Sequence, residues 1–142
     1  DDLVEHFKGV LTILLPGGRY IFKTPHVHDG PWDVSRVFKC EKAMGMHLRE
    51  YTYRELVNKL KYAGFQKVHT TIPSPKVHGL LKQYRQANAI HAIYLNCLYM
   101  IEDLIKVLPK QEMRRKALSW ASRSFRFAPH ITLIGQKVEF NK

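Results

Sequence analysis

Residues 11–25 read L-T-I-L-L-P-G-G-R-Y-I-F-K-T-P and join two elements of different periodicity. Apolar residues recur at helical spacing over residues 3–15, with polar residues between them, which predicts an amphipathic helix. Asp1 or Asp2 can cap its first turn, where a carboxylate also suits the helix dipole. Pro16 cannot continue the helix interior, so we expect the helix to stop there.

A strand is predicted immediately after the Pro-Gly-Gly turn. Gly17 or Gly18 can take the positive φ that closes a helix, and residues 19–24 are rich in β-forming side chains and short enough for a strand. A helix that is followed by a tight turn and a strand forms one half of a right-handed α/β crossover. Since ligands of open α/β sheets bind beyond the carboxyl ends of strands, we expect the site at residues 24–32.

Two local signals follow this strand. Residues 26–36 read H-V-H-D-G-P-W-D-V-S-R, a loop by its Gly-Pro pair, in which Asp33 can cap a short helical start. Thr52 begins the capping box T-Y-R-E, and apolar residues at helical spacing come after it. Gly64 suits the left-handed position beyond a helix end, so the pattern predicts a helix over residues 53–63.

A helical hairpin is predicted between two further strands. Residues 66–72 and 130–138 have the composition of strands, and between them residues 77–108 carry a heptad seam that Pro109 ends. A second helix is expected over residues 112–125. The first seam consists of Val77, Leu80, Tyr84, Ala87, His91, Tyr94, Leu98, Ile101, Ile105 and Leu108, and the facing one of Met113, Ala117, Trp120, Ala121 and Ser124. The hairpin is interpreted as a lid, a dimerisation arm or a packing element.

Five motifs follow one another in a fixed order: L-P-G-G, R-Y-I-F-K-T-P, G-P-W-D-V-S-R, H-L-R-E-Y-T-Y-R-E-L and Y-A-G-F-Q-K-V. Their order and spacing over residues 1–73, with the final strand, resemble the C-terminal half of class I S-adenosylmethionine-dependent methyltransferases. The resemblance implies one α/β domain over residues 1–142, in which residues 1–75 and 129–142 form the last three strands of a Rossmann-like sheet. It also implies that the last two strands pair antiparallel at the sheet edge. Residues 76–128 depart from the family's simplest pattern as a helical insertion.

The cofactor-binding features of that family are missing from this sequence. The family holds S-adenosylmethionine with a glycine-rich loop and an acidic residue in its N-terminal half, but no G-x-G occurs here. By the resemblance the chain starts after the fourth strand, so the enzyme should need the missing N-terminal half to bind cofactor. The exposed sheet edge would be covered by that half, or by a homodimer formed through the helix over residues 77–108.

Methyl transfer requires from the C-terminal half only an aligned acceptor and, in some enzymes, a base. By position, the candidate catalytic residues are His26, His28 and Asp29, and the candidate substrate-binding residues are Trp32, Arg36, His47 and Tyr51. Two histidines at alternate positions could also share a metal ion, but no third ligand stands at a useful spacing, so no metal is expected. A structural or surface role remains the alternative for each of these side chains.

Composition and charge limit the class of protein. With 142 residues, 45% of them hydrophobic and 25% charged, the chain is typical of one globular domain and not of a disordered or fibrous protein. A net charge of +11 favours anionic partners, although the basic residues are spread as on a solvated surface. Cys40 and Cys97 form no C-x-x-C pair, and neither a signal peptide nor a long apolar run is present. We therefore expect a cytoplasmic protein without a transmembrane segment. The resemblance leaves the methyl acceptor open between a small molecule, a lipid quinone and a macromolecule, and of these we expect a small molecule.

A rival function is nucleic-acid binding by the second hairpin helix. Phosphate-neutralising cations alternate there with rings that can stack on bases. The residues are Lys110, Arg114, Arg115, Lys116, Arg123 and Arg126, with Trp120, Phe125 and Phe127. The plainer interpretation is an amphipathic helix that buries Trp120 and solvates its arginines. A non-catalytic scaffold that dimerises is a third alternative.

Overall fold

The computed structural model describes residues 2–40, 42–45, 49–73, 89–125 and 130–138. Within these ranges the chain is a mixed α/β structure of four α-helices and one three-stranded sheet. In chain order the elements are α1 (Asp2–Ile13), β1 (Arg19–Pro25), a short 3₁₀ helix (Val34–Arg36), α2 (Tyr53–Ala63), β2 (Lys67–Thr70), α3 (Ala89–Lys106), α4 (Gln111–Phe125) and β3 (His130–Gln136).

The sheet has the order β1-β3-β2, and both neighbouring pairs are antiparallel. The antiparallel pairing of β2 with β3 confirms the expected arrangement of the last two strands. β2 is shorter than predicted, although Gln66 still donates to the carbonyl of Gln136 at 3.1 Å. β3 is the central strand and contributes the buried residues Ile131, Leu133 and Ile134. β1 therefore lies at an edge of the described sheet.

The turn that leads into β1 is fastened to the end of β3. α1 ends at Ile13, and the Lys137 ammonium group donates to the carbonyls of Leu11 and Leu14, at 2.7 Å each, where the helix has no N–H left to bond them. Gly17 has a φ of 75° and donates its N–H to the carbonyl of Val138 at 3.1 Å. A positive φ is readily adopted only by glycine, so the predicted role of the glycine pair is confirmed.

α2 begins and ends as predicted. The Thr52 side chain accepts from the Glu55 N–H, and the Glu55 carboxylate accepts from the Thr52 N–H, which completes the capping box. Gly64 closes the helix with a φ of 113°. The buried face of α2 packs on the core, where Phe7 and Phe65 meet edge to face at 6.5 Å.

α3 turns the predicted seam inward, and its buried stripe is wider than predicted. The part of the predicted helix over residues 77–88 lies outside the described residues. Of the predicted seam, His91, Leu98 and Ile105 are buried, and Tyr94 and Ile101 are half-buried against the core. The buried stripe also includes Leu95 and Glu102, whose carboxylate bonds to the start of α2, as described below.

α4 buries Leu118 and Ala121, while Met113 and Trp120 of its predicted seam are exposed. The expectation that this helix buries Trp120 is therefore wrong, because that side chain remains 63% exposed. The Ser124 side chain lies outside the described residues. None of the helices in the described ranges is long and apolar enough to cross a membrane.

Candidate functional site

The loop that follows β1 meets the beginning of α2 and the end of the hairpin. His26 forms a parallel bridge with Tyr51, in which Val27 donates its N–H to the Tyr51 carbonyl at 3.0 Å. The bridge brings the end of β1 beside the residue that precedes the capping box of α2. Three segments distant in sequence therefore converge on residues 26–32, the place where the site was expected.

His26 and Glu102 form a buried pair at this junction. The His26 Nε2 atom lies 2.7 Å from Glu102 Oε1, and the side chains are 0% and 4% exposed. The Glu102 carboxylate also accepts the backbone N–H groups of Tyr53 and Arg54, the first two residues of α2. Since these groups have no partner inside the helix and carry its positive dipole end, they stabilise a buried carboxylate.

Hydrogen bonds engage both ring nitrogens of His26. Its Nδ1 atom accepts the backbone N–H of His28 at 3.1 Å. The Nε2 atom then donates to Glu102. This arrangement fixes the course of the loop.

His28 differs from its neighbour in having no such partners. The side chain is 5% exposed, and neither ring nitrogen makes a hydrogen bond in the part of the chain that the structure describes. Burial is the main cause that lowers the pKa of His28 to about 4, and the nearby cations Arg114 and Lys106 add to it, against a small opposing effect of Glu55. His28 is therefore neutral at pH 7 and offers one nitrogen as a proton acceptor and the other as a donor.

His28 lines a cavity of about 610 Å³ between the loop, α2 and the hairpin. The volume is sufficient for a small organic molecule. Arg49 and Arg54 on its wall are neutralised by Glu55 and Asp103, at 3.4 and 2.6 Å. Three further lining cations, Lys42, Lys106 and Arg114, form no ion pair within the described ranges. The lining also includes the carboxylates of Glu50 and Glu102, which accept backbone N–H groups. The cavity therefore combines a neutral imidazole with a small excess of cationic charge that can bind an anionic group.

The start of α4 clamps the other side of the same loop. The Gln111 amide donates to the carbonyls of Val27 and Gly30 at 2.8 and 3.1 Å, and Arg115 donates to the Gly30 carbonyl at 3.0 Å. A Cβ atom at Gly30 would lie 1.6 Å from the buried Glu50 carboxylate, so only glycine fits there. The hairpin thus positions the loop directly.

Trp32 and Arg36 lie together next to the part of the loop that Gln111 and Arg115 bind. The Arg36 guanidinium stands 5.4 Å from the centre of the Trp32 ring, which also contacts the His130 ring at 5.1 Å. The backbone N–H of Trp32 donates to the Glu50 carboxylate at 2.7 Å. Neither side chain lines the His28 cavity, so these two predicted residues form a separate aromatic surface.

The remaining candidates are placed less centrally. The Tyr51 ring lies under Arg49 at 5.1 Å and Lys59 at 5.9 Å, next to the cavity wall. Asp29 is half-buried in the turn, where its N–H donates to the His26 carbonyl. His47 lies outside the described residues. Within the described ranges no cluster of three His, Cys, Asp or Glu residues could hold a metal ion.

Glu102 is the residue of this site that sequence reasoning missed. It stands inside a helix whose neighbouring turns are apolar, and the predicted seam passed through Ile101 instead. The available signal was its spacing, since Glu102 lies four residues after Leu98 and three before Ile105. An acidic residue within an apolar stripe of a helix either interrupts the stripe or is a buried carboxylate that has hydrogen-bond partners.

No family model, curated protein or solved structure matches this chain. The chemistry of the site therefore has to be argued from its own residues.

Proposed function

We propose that this chain is the acceptor-side portion of a class I S-adenosylmethionine-dependent methyltransferase, with the methyl acceptor bound in the His28 cavity. One observation carries the proposal: a buried imidazole, without hydrogen bonds in the described chain, lines a cavity at the carboxyl end of β1. A buried polar group without a partner is costly, so its retention is explained if a ligand supplies the partner. The order of the sequence motifs indicates which chemistry that ligand undergoes.

The described residues do not fit S-adenosylmethionine itself. Gly17 and Gly18, the only adjacent glycines, are bonded to the end of β3, since Gly17 donates to Val138 and Gly18 accepts from Lys137 at 2.9 Å. They cannot also cradle a nucleotide in the manner of a glycine-rich loop. The cofactor, which supplies the methyl group, would bind to glycine-rich chain outside these 142 residues.

His28 would accept the proton that the acceptor loses. An imidazole works best as a general base when its pKa lies near the working pH, and a pKa of about 4 is too low for that. Arg114 and Lys106 are two of the causes of the low value. An acceptor with a carboxylate or phosphate beside Lys106 would offset both, and would raise the pKa of His28 as it binds. The cavity thus favours an anionic small molecule.

The test has two arms. In the first, S-adenosylhomocysteine is titrated calorimetrically into the chain after its intact mass has been verified, and we expect no heat of binding up to about 1 mM ligand. In the second, the chain is combined with the glycine-rich polypeptide encoded with or beside it, and transfer of radiolabelled methyl groups to small anionic acceptors is followed. Tight binding in the first arm would mean that the cofactor site is wrongly assigned.

The second arm separates a catalytic from a structural His28. We expect His28→Asn to lower kcat about a hundredfold, the usual contribution of a general base, while the affinity for S-adenosylhomocysteine is unchanged. His6→Asn, at an exposed histidine of α1, is the matched control and should leave kcat unchanged. An unaltered kcat in His28→Asn would rule out the base, and failure of every acceptor would overturn the function.

Nucleic-acid binding keeps one specific observation in its favour. Trp120 is exposed on α4, where a base could stack on it. Several of the cations are engaged elsewhere, however, since Arg115 bonds to Gly30, Arg114 bonds to the end of α3 at Leu108 and Lys116 pairs with Glu112. A steep loss of affinity for single-stranded DNA between about 50 and 200 mM salt, abolished by Trp120→Ala, would support this alternative.

A further inference from the structure

α3 carries a second row of apolar side chains, which its own fold leaves uncovered. We name this row the outer seam. It consists of Ile90, Ile93, Cys97, Met100, Leu104 and Val107. The five large hydrophobic members are 63–81% exposed, and Cys97 is exposed as well. A helix that is apolar on both faces is normally buried on both.

The spacing of the outer seam is that of a coiled coil. Its members alternate intervals of three and four residues from Ile90 to Val107, so they line one stripe along the whole helix. They lie one position before the residues of the seam predicted from sequence. The inner face of α3, with Leu98 and Glu102, already packs on this domain. The outer seam is thus a complete, separate interface for another helix.

α4 widens this surface. A groove of about 540 Å³ runs between α3 and α4, with Met100 and Leu104 on one side and Ala117 and Trp120 on the other. Together the outer seam, Met113 and Trp120 form a surface of eight exposed, largely apolar side chains. Each partner of a stable dimer buries about 800 Å², so an interface needs an extended surface of this kind. Monomeric proteins rarely leave so large an apolar patch uncovered.

We propose that the outer seam is a homodimer interface, in which α3 pairs with α3 of a second copy of this chain. A partner helix with the same repeat of three and four residues fits knob-into-hole along the full stripe, and a second copy necessarily has it. The polar residues that flank the stripe on α3 are Asn96 and Asp103, both exposed. A membrane-binding helix would carry lysine or arginine beside its apolar stripe, as α4 does at Lys116 and Arg123, whereas α3 has no lysine or arginine before its last residue. The stripe of α3 therefore fits a second copy better than an anionic lipid surface.

The interface is tested by sedimentation of the purified chain. A mass twice the 16.6 kDa of one chain is expected at micromolar concentration. Leu104→Glu places a charge in the centre of the interface and should raise the dimer dissociation constant about a hundredfold or more. Val37→Glu is the matched control, because Val37 is 77% and Leu104 71% exposed, and it should leave the constant unchanged. Circular dichroism establishes that both variants are folded.

Cys97 gives an independent measurement of the same contact. It lies near the middle of the outer seam, so a two-fold axis there brings the two Cys97 thiols close together in either helix orientation. A short bismaleimide should then cross-link the chain and its Cys40→Ser variant, but not Cys97→Ser. A monomer at about 100 µM, equal effects of Leu104→Glu and Val37→Glu, or cross-linking that survives Cys97→Ser would overturn the proposal. A monomer that binds anionic vesicles through Leu104 would overturn it in favour of a membrane surface.

Discussion

At the scale of single residues, the low pKa of His28 makes the protein sensitive to acid. The folded chain protonates this ring near pH 4, whereas the unfolded chain does so near pH 6.5. Between these values the unfolded state holds the extra proton, so the free energy of unfolding falls as the pH falls. His28 alone lowers the free energy of unfolding by about 3 kcal/mol at pH 4 relative to neutral pH. Above about pH 6.5 its ring is neutral in both states, and this loss is absent.

Urea denaturation at a series of pH values between 7 and 4 measures this dependence. His28→Asn cannot titrate, so its free energy of unfolding should change less over that range by about the same 3 kcal/mol. His6→Asn should retain the slope of the unsubstituted chain, because His6 lies exposed on α1. Parallel curves for His28→Asn and the unsubstituted chain would contradict the burial of a neutral imidazole.

Glu102 is expected to be the most sensitive position of the hairpin. Replacement by alanine leaves the N–H groups of Tyr53 and Arg54 and the ring of His26 without their acceptor in a buried place. We expect Glu102→Ala to lower the free energy of unfolding by about 3 kcal/mol, and Glu102→Gln by about half as much because one oxygen remains. The neighbouring Asp103→Asn should cost less than about 1 kcal/mol, since its pair with Arg54 is exposed. Comparable losses at positions 102 and 103 in urea denaturation would count against this account.

His26 and His28 show the limit of what the sequence can predict about this site. His26 and His28 could be assigned to the site because they follow a strand that ends at a proline, which is a local pattern. Their opposite roles could not be foreseen, because the difference is made by Glu102, 76 residues away from His26, and by the backbone N–H of His28. Protonation states depend on contacts that no spacing encodes.

At the scale of elements, local chemistry explains which helix was predicted well. The limits of α2 follow from Thr52, Glu55 and Gly64, whose bonds all lie within the helix or at its ends. The inward face of α3 was predicted through His91, Leu98 and Ile105, but hydrophobic period alone could not show that Glu102 belongs to the same buried face. Glu102 is buried because it bonds to the start of α2, which is a tertiary effect.

Two glycines in different elements should respond to the same substitution with opposite signs. A Cβ at Gly135 in β3 would lie 2.6 Å from the buried ring of Phe65, so Gly135→Ala forces ring or strand to move and should destabilise the fold by about 2 kcal/mol. Gly9 in α1 has nothing within 4 Å of that position, so Gly9→Ala should stabilise by about 0.5–1 kcal/mol through helix propensity. Thermal and urea denaturation of both variants measure the difference. A stabilising Gly135→Ala would mean that Phe65 does not pack over β3.

At the scale of the whole molecule, the hairpin is a structural part of the candidate site. It supplies Glu102 to the start of α2 and Gln111 and Arg115 to the loop after β1. The sheet, in contrast, is held by the central strand β3, which is hydrogen bonded on both sides. The loop that carries His28 therefore depends on a unit that packs on the core through apolar residues such as Leu95 and Leu98 but holds the loop itself by polar contacts.

This division predicts two levels of stability in native-state hydrogen exchange. The amides of β3 at residues 133–136 should exchange only with the full free energy of unfolding, because this part of the strand is paired on both sides and its residues are buried. The amides of α3 and α4 should exchange through a smaller opening that releases the hairpin alone. Glu102→Ala should lower the protection of the hairpin amides. Gly9→Ala, the stabilised control, should leave their protection normal.

The measurement is made by NMR in the Leu104→Glu background, in which pairing through the outer seam is weakened and does not add to the protection of α3. One common free energy of exchange for β3 and the hairpin would show a single cooperative unit, contrary to this expectation. Two levels would mean that the His28 cavity can open while the sheet stays folded. Ligand entry would then need only the release of the hairpin, since Gln111 and Arg115 close the loop by hydrogen bonds that water can replace.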